Sequence, residues 1–317
     1  MSPITSGTAL VRRADSETKT SADGTTASGR AESDPNAAET IGLLAGSGRF
    51  PILFAEAARR QGLRIACVGI KYEAPEVLRE LCWSFDVVGV AKLGAMIRTF
   101  RRRRVKRIVM AGKVTKNVMY TPWRILQLCP DLRTLQWWYR RPRADNRDDS
   151  LLLGVIEEFE RDGMSFVSAL EFCPELLVKE GLLTRRAPTP AEHLDIEFGW
   201  TLAKEMGRLD VGQSVAVKEK AVLAVEAIEG TDRCIERAGS LCRAGGWTLV
   251  KVAKPQQDMR FDVPTIGVTT IENLHRCGAK VLAIEADRTI VIDQSEVVAV
   301  ADRYGISIVS LRDASAI

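Results

Sequence analysis

The chain has 317 residues, of which 46% are hydrophobic and 27% charged, and its formal net charge at pH 7 is +4. This length favours two globular domains over one, and so small a charge does not by itself indicate a nucleic-acid partner. Seven cysteines without a CxxC pair favour reduced, buried thiols over disulfides or zinc, and two histidines exclude a histidine-rich metal centre. Any metal would be held by carboxylates, which favours Mg²⁺ or Mn²⁺.

Residues 1–39 are rich in small and polar side chains, contain no aromatic residue and lack the apolar core of a signal peptide. We expect this segment to be a disordered tail. No apolar run in the chain reaches the roughly 18 residues that a transmembrane helix needs.

Residues 40–170 alternate apolar strands with helices and predict a Rossmann-like α/β domain with a parallel, doubly wound sheet. The predicted strands are 41–45, 64–70, 85–90 and 107–111, and the helices between them are 51–61, 73–81 and 92–103. Ligands of such sheets bind at the carboxyl ends of the strands. Gly46, Gly48 and Lys113 lie at these ends and are candidate substrate-binding residues.

The segment Gly46-Ser47-Gly48 has two interpretations, a phosphate site at a helix N-terminus or a plain tight turn. The full GxGxxG pattern is absent, because Pro51 stands three residues after Gly48 and no acidic residue ends the second strand. These departures disfavour a nicotinamide-dependent oxidoreductase.

Residues 115–147 interrupt the alternation and combine tryptophans, among them Trp123, Trp137 and Trp138, with many arginines. Three interpretations stay open: a nucleic-acid surface, a membrane-interface segment, and rings packed on neighbouring structure. A helix over 148–161 and a strand over 164–170 follow. Asp148 and Asp149, at the start of that helix, fit either capping or a functional role.

Residues 171–188 are predicted to be a linker, and residues 189–317 a C-terminal α/β domain. This domain opens with a capping box formed by Thr189 and Glu192, and the helix that it starts is predicted to stop at Gly207. The later predicted elements are a hairpin of 214–218 and 221–227, a helix capped by Thr231, strands 248–253, 280–285, 289–293 and 306–311, and helices 269–277 and 294–304.

Two polar segments of the second domain are candidates for chemistry. Residues 254–267 form a loop after an apolar strand, and its cations suit an anionic substrate while its aspartates suit a metal ion or an activated water. Glu229, Thr231 and Asp232 gather at a strand end, where Gly230 allows close approach to a ligand. A solvated, salt-bridged surface is the alternative for the first segment, and helix capping for the second.

Six ordered motifs resemble those of the LpxI-type UDP-2,3-diacylglucosamine pyrophosphatases, and the resemblance extends over residues 41–311. They are IGLLAGSGRFP (41–51), AGKV (111–114), Asp148-Asp149, GRLDVGQ (207–213), VEAIEGTD (225–232) and the segment from Lys254 to FDVPTIG (261–267). The resemblance implies a cytosolic enzyme of lipid A synthesis, with the lipid substrate held between two domains. It implies metal-assisted attack of water on the α-phosphate, which gives UMP and 2,3-diacylglucosamine 1-phosphate.

The resemblance places the family's key aspartate at Asp262. With the residue chemistry it suggests Asp262, Asp232 and Asp149 as carboxylates for Mg²⁺ or Mn²⁺. The expected substrate-binding residues are Gly46, Gly48, Lys113, Glu229, Thr231, Lys254, Gln257 and Arg260.

A diacylated substrate also favours peripheral association of residues 115–147 with the inner face of the cytoplasmic membrane, and we expect no nucleic-acid partner. A homodimer stays open. The alternative function is a non-catalytic protein of the same fold that binds a nucleotide sugar or a lipid.

Overall fold

The computed structural model describes residues 39–114, 129–140 and 148–313, with the backbone alone for residues 148–150. The predicted tail therefore lies outside the described residues, apart from Glu39, and so does most of the Trp/Arg segment, including Trp123. Two α/β regions, each built on its own main sheet, follow one another along the chain. We call them the N-terminal half, residues 39–176, and the C-terminal half, residues 177–313.

The N-terminal half is built on a parallel sheet, as its alternating pattern predicts. Its strands are β1 (Thr40–Ala45), β2 (Arg64–Ile70), β3 (Ser84–Val88), β4 (Arg107–Ala111) and β5 (Ser165–Val167). They pair in the order β3-β2-β1-β4-β5, and every pairing is parallel. The central strand β1 is buried along almost its whole length, which explains its continuous apolar sequence.

Helices cover both faces of this sheet. They are α1 (Phe50–Arg60), α2 (Leu78–Leu81), α3 (Leu93–Arg102), α4 (Leu132–Arg140) and α5 (Asp148–Glu160). Phe54 of α1 belongs to the core on one face, whereas Phe100 of α3 and Phe159 of α5 belong to the core on the other. The helix predicted over 73–81 was too long. Pro75 disfavours a helical conformation for the residue before it, and regular helix begins only at Leu78.

The C-terminal half contains a mixed sheet. Its strands are β6 (Gly181–Leu182), β7 (Ser214–Lys218), β8 (Ala221–Val225), β9 (Trp247–Lys251), β10 (Thr265–Ile266), β11 (Ala279–Glu285), β12 (Ile290–Val291) and β13 (Ser307–Leu311). Six of them pair in the order β6-β13-β11-β9-β7-β8, with β9, β11 and β13 mutually parallel. Strands β10 and β12 form a separate parallel pair. The edge strand β6 comes from the interval predicted to be a linker.

The helices of this half also lie on both faces of the sheet. They are α6 (Pro190–Arg208), α7 (Thr231–Leu241), α8 (Val268–Arg276) and α9 (Gln294–Tyr304). Helix α6 packs through Ile196 and Trp200 on one face, and α7, α8 and α9 share the core on the other. The predicted capping box is confirmed, since Thr189 accepts from Glu192 N and the Glu192 side chain accepts from Thr189 N.

Seven free cysteines are found, as the absence of a CxxC pair predicts. Cys67, Cys173 and Cys234 are buried, but Cys129 is exposed, so the expectation of buried thiols holds for only part of the set. Burial raises the pKa of Cys173 and of Cys234 to about 12, which keeps both thiols protonated. Within the ranges that the structure describes, no helix has the length and apolar character needed to cross a membrane.

Candidate functional site

The carboxyl ends of β1 and β4 are joined by a compact backbone arrangement. Gly46 N donates to Ala111 O at 2.9 Å, and Ser47 N donates to Lys113 O at 2.7 Å. Lys113 N donates back to Ser47 O at 3.0 Å. A Cβ atom at Gly46 would overlap the Lys113 carbonyl, so this approach requires glycine. The two motifs predicted at the strand ends are therefore neighbours.

Gly48 contributes differently from Gly46. Its φ of +101° favours glycine, and a Cβ atom built there meets nothing within 4 Å. The Lys113 side chain is exposed beside this turn. The following residue, Arg49, reaches the C-terminal half, with its Nε 3.4 Å from Asp293 Oδ2. The turn thus lies at the boundary between the halves.

A buried polar network lies at the end of β9, on the other side of this boundary. Lys251 is 5% exposed, and its Nζ donates to Thr231 Oγ1 at 2.7 Å. Thr231 Oγ1 in turn donates to Glu226 Oε1 at 2.9 Å, and Glu226 is 7% exposed. The prediction that Thr231 caps α7 was wrong. Gly230, with φ of +83°, is the N-cap, and this frees the Thr231 hydroxyl for the lysine.

Electrostatics show which groups surround Lys251. Burial lowers its pKa below that of an exposed lysine, and the neighbouring Lys113 lowers it further. The carboxylates of Glu226, Asp262 and Asp232 oppose this shift. Lys113 of the N-terminal half and Asp232 and Asp262 of the C-terminal half therefore lie within electrostatic range of one buried amine. Sequence reasoning selected these three residues separately, and the fold brings them together.

Lys251 itself was missed by sequence reasoning. It lies inside a segment that reads as an apolar strand, and the prediction treated the whole segment as core. The available signal was a lysine inside an apolar strand, three residues before the polar loop begins at Lys254. A buried lysine needs partners, but its sequence does not say which residues supply them.

The polar loop after β9 is held by its own side chains. Lys254 N donates to Gln257 Oε1 at 2.9 Å, and Gln257 Nε2 donates to Asp262 Oδ2 at 2.6 Å. Gln257 therefore joins the start of the loop to Asp262 and fixes the orientation of that carboxylate. Asp262 N also donates to Asp258 O at 3.0 Å.

The cations of this loop pair with carboxylates. Lys254 Nζ lies 2.7 Å from Asp210 Oδ1, and Arg260 binds Asp258 through two nitrogen atoms. The Arg260 hydrogen bonds lower the pKa of Asp258. The salt-bridged interpretation thus describes Lys254 and Arg260 in this structure. It does not describe Asp262, whose carboxylate accepts a hydrogen bond from the Gln257 side-chain amide.

Both halves hold the loop in place. Glu285 Oε2, in β11, accepts from Ala253 N at 2.8 Å and from Lys204 Nζ at 2.6 Å, which fixes the start of the loop. Ser168 Oγ of the N-terminal half donates to Met259 O at 2.9 Å. Phe261 packs against the core formed by α3 and α5. Asp262 therefore follows a residue that is docked on the opposite half.

The remaining predicted residues are less closely engaged. Glu229 and Asp232 are exposed, and Asp232 Oδ1 accepts from Asn273 Nδ2 at 3.0 Å. The side chain of Asp149 lies outside the described residues. Among the described side chains, no three His, Cys, Asp or Glu residues converge as a metal-binding group. Mg²⁺ is commonly bound by one or two carboxylates completed by substrate phosphates, and Asp262 and Asp232, both within electrostatic range of Lys251, offer oxygen donors of that type.

A cavity of about 510 Å³ lies elsewhere, at the ends of α7 and α8. Its lining includes Glu236, Arg243, His275 and Arg276, and none of the residues discussed above. We call Lys113, Lys251, Asp232 and Asp262 the boundary cluster. We assign the candidate site to this cluster, because its charged groups come from both halves.

Two family models match the chain, and together they span nearly all of the described residues. The model described as the LpxI N-terminal domain matches residues 40–176, and that of the LpxI C-terminal domain matches residues 179–309. A curated relative is the UDP-2,3-diacylglucosamine pyrophosphatase LpxI of Caulobacter vibrioides (strain ATCC 19089 / CIP 103742 / CB 15). It is 32% identical over 281 residues, which are 86% of this chain and 97% of that protein.

Similarity to solved structures is weaker. The biotin carboxylase subunit of pyruvate carboxylase is 11% identical, with a TM-score of 0.24, and the match covers 64% of this chain and 32% of that chain. A score this low carries no argument about fold or function. The two domain matches and the curated relative agree with each other, and on their evidence the chain belongs to the LpxI family.

Proposed function

We propose that this protein hydrolyses the pyrophosphate bond of UDP-2,3-diacylglucosamine, giving UMP and 2,3-diacylglucosamine 1-phosphate for lipid A synthesis. The similarity to the Caulobacter vibrioides pyrophosphatase over 86% of the chain supports the substrate class. The observation that carries the proposal is the boundary cluster, where Lys113 and Lys251 lie with Asp262 and Asp232.

The chemistry of the cluster suits this reaction. Pyrophosphate hydrolysis requires neutralisation of charge on the phosphoryl oxygens and a positioned water, with little covalent work by the protein. Lys113 and Lys251 supply positive charge from opposite halves. In this proposal Asp262, which Gln257 orients, accepts a hydrogen bond from the attacking water and receives its proton. Attack at the α-phosphate breaks its bond to the bridging oxygen, and UMP and the sugar 1-phosphate leave.

We extend the proposal to a divalent metal, Mg²⁺ or Mn²⁺, held by Asp262 and Asp232 together with substrate phosphate oxygens. Such an ion supplies Lewis-acid stabilisation of negative charge on the phosphoryl group. Oxygen donors of this kind suit Mg²⁺ and Mn²⁺ better than zinc.

We also propose that α4 contributes to contact with the inner face of the cytoplasmic membrane. Trp138 is 54% exposed and Tyr139 is 74% exposed on this helix, which ends in Arg140. Aromatic rings favour the headgroup region, and each nearby cation adds about 1 kcal/mol of attraction to anionic lipid. A diacylated substrate would be reached from that surface.

The test is a hydrolysis assay with purified protein and UDP-2,3-diacylglucosamine in detergent micelles, in which UMP is followed by chromatography. We expect UMP in the presence of Mg²⁺ or Mn²⁺, no UMP in EDTA, and recovery when the metal is restored. UDP-N-acetylglucosamine, which lacks the acyl chains, is the matched control and should be hydrolysed far more slowly. Binding of the lipid without UMP release under any metal condition would favour the non-catalytic alternative.

Full activity in EDTA would leave the reaction in place and contradict the metal assignment alone. The two parts of the proposal therefore fail separately.

A further inference from the structure

Lys251 is held by a chain of two hydrogen bonds, through Thr231 to Glu226, that leaves some of its N–H donors unused. Its ammonium group carries three donors, and one of them is used by Thr231 Oγ1 at 2.7 Å. Among the described side chains, no carboxylate lies within ion-pair distance of its Nζ, because the threonine hydroxyl stands between it and Glu226. Glu226 Oε2 is buried without a hydrogen-bond partner. A cation buried to 5% exposure would ordinarily be compensated more completely.

Lys113 approaches the same place from the other half. It follows Gly112, whose φ of +92° favours glycine and where an added Cβ atom would overlap Ser47 O at the end of β4. Within the described part of the chain, no carboxylate pairs with the Lys113 ammonium group. The positive charge of Lys113 makes the charged form of Lys251 less favourable and lowers the pKa of Lys251. An anion with two charged groups would remove this repulsion.

We infer that Lys113 and Lys251 form a clamp for a diphosphate group, one lysine from each half, with Thr231 and Glu226 positioning Lys251. The inference rests on the proposed function and names the side chains that take its two phosphates. The ligand class is a nucleoside diphosphate or its sugar ester. Thr231 acts through Lys251 and is a positioning residue, whereas Lys251 contacts the phosphate oxygens themselves.

The clamp explains why the site lies at the boundary between the halves. Neither lysine can surround a diphosphate alone, since each approaches from one side. Glu226 serves to hold the lysine in place, and Thr231 transmits that contact over 2.9 Å and 2.7 Å hydrogen bonds. Binding of the anion then satisfies donors that the protein alone leaves unused.

The experiment measures the affinity of the full-length protein for UDP by calorimetry. Lys113→Met and Lys251→Met should each raise Kd at least tenfold, and the salt dependence of binding should weaken in both. Lys218→Met is the matched control. Lys218 is a half-buried lysine on the neighbouring strand β7, at the opposite end of the sheet, where its Nζ donates to Gly245 O at 2.7 Å. This variant should bind UDP as the wild type does.

A second variant guards against simple misfolding. Lys251→Met removes the cation that Thr231 links to the buried Glu226 carboxylate, and it leaves that charge uncompensated. Lys251→Met/Glu226→Gln removes both charges together and should fold with a melting temperature near that of the wild type. It should still show the raised Kd. UDP affinity equal to that of the wild type in this folded double variant overturns the clamp.

A pH profile separates phosphate contact from a structural role. Because Lys251 must be charged to bind an anion, wild-type affinity should fall as pH rises through its lowered pKa. Lys251→Arg stays charged and should retain UDP binding to higher pH, while the ligand titrates equally in both proteins. Coincident profiles contradict the inference.

The hydrolysis assay of the wild type is run in parallel, so the two ideas can fail separately. Active wild type with unaffected kcat/KM in the Lys251 variants overturns the clamp and leaves the proposed function standing. Inactive wild type whose UDP binding still depends on Lys113 and Lys251 keeps the clamp and overturns the hydrolysis.

Discussion

The two halves of the molecule meet at one site, but they contribute different kinds of groups to it. In the N-terminal half the site is a backbone arrangement, in which Gly46 and Gly112 let two strand ends touch. In the C-terminal half it is a set of buried charges, with Lys251, Glu226 and Glu285 each less than 10% exposed. Buried polar side chains elsewhere in the described chain follow the same division. Glu158, held by Arg133 and Arg161, represents the N-terminal half, whereas Asp195 and several serines and threonines lie in the other.

This contrast indicates that the two halves have different roles at the site. The glycine turn brings two strand ends into close contact, and at Gly46 and Gly112 it leaves no room for a Cβ atom. Buried charges carry chemistry because their state depends on what binds beside them. We therefore expect substitution of Asp262 in the C-terminal half to abolish activity with little structural damage, and glycine substitutions in the N-terminal half to act through stability.

The largest effect is expected for Asp262→Ala. Loss of this carboxylate removes the group that positions water and metal, and activity should fall below about a tenth of the wild-type rate, since a lost metal-positioning carboxylate costs several kcal/mol of barrier. Asp258→Asn is the control in the same loop, where the carboxylate is occupied by Arg260. UMP release should be compared between the two variants once their melting temperatures are shown to be equal. An Asp262→Ala enzyme that keeps most of its activity would remove Asp262 from the mechanism.

The second effect concerns the buried pair that anchors the loop. Glu285→Ala leaves Ala253 N without its acceptor and leaves Lys204 without its carboxylate partner, with only the Ala253 carbonyl to accept from it. The free energy of unfolding should fall by about 3 kcal/mol. Arg208→Met, on the same helix as Lys204, breaks an exposed pair with Glu205 and should cost less than about 1 kcal/mol. Urea denaturation measures both. Equal losses in the two variants would show that burial of the pair is unimportant.

The third effect tests the glycine turn. Gly46→Ala places a methyl group against the Lys113 carbonyl, and the resulting shift should cost roughly 1–3 kcal/mol of stability. Gly89→Ala is the matched control, because the nearest atom to its added Cβ is 3.8 Å away and the backbone there is not left-handed. It should be neutral or slightly stabilising. A Gly46→Ala protein as stable as Gly89→Ala would mean that the strand ends can separate freely.

The smallest effect separates two neighbouring tryptophans of α4. Trp137 packs against Gly154 of α5 so closely that a Cβ atom added at Gly154 would lie 3.2 Å from its ring, and it borders the core. Trp138, in contrast, is 54% exposed. Trp138→Ser should weaken binding to anionic vesicles in a salt-dependent way and leave the melting temperature unchanged. Trp137→Ser should lower the melting temperature instead. Normal vesicle binding by Trp138→Ser would contradict the membrane proposal for this helix.

Much of this description could be predicted from local pattern. The alternation of apolar strands and helices gave the parallel N-terminal sheet, and the spacing of Thr189 and Glu192 gave a capping box, because both depend on residues close in the chain. Short-range reasoning was less reliable at element ends. Thr231 resembles an N-cap, yet its hydroxyl is used by Lys251 and Glu226, which come from two other strand ends.

The sequence by itself determined the family, the alternation of strands and helices in the N-terminal half, and the polar loop that contains Asp262. Only the tertiary structure decided that Lys251 is buried beside Thr231, and that Lys113 of the other half lies within electrostatic range of it. The physical reason is that periodicity shows which side chains face the interior, whereas the partner of a buried charge is set by the order of strands and by loop contacts. In this protein those contacts join residues as far apart as Ser168 and Met259, which are 91 positions apart, beyond the reach of any local pattern.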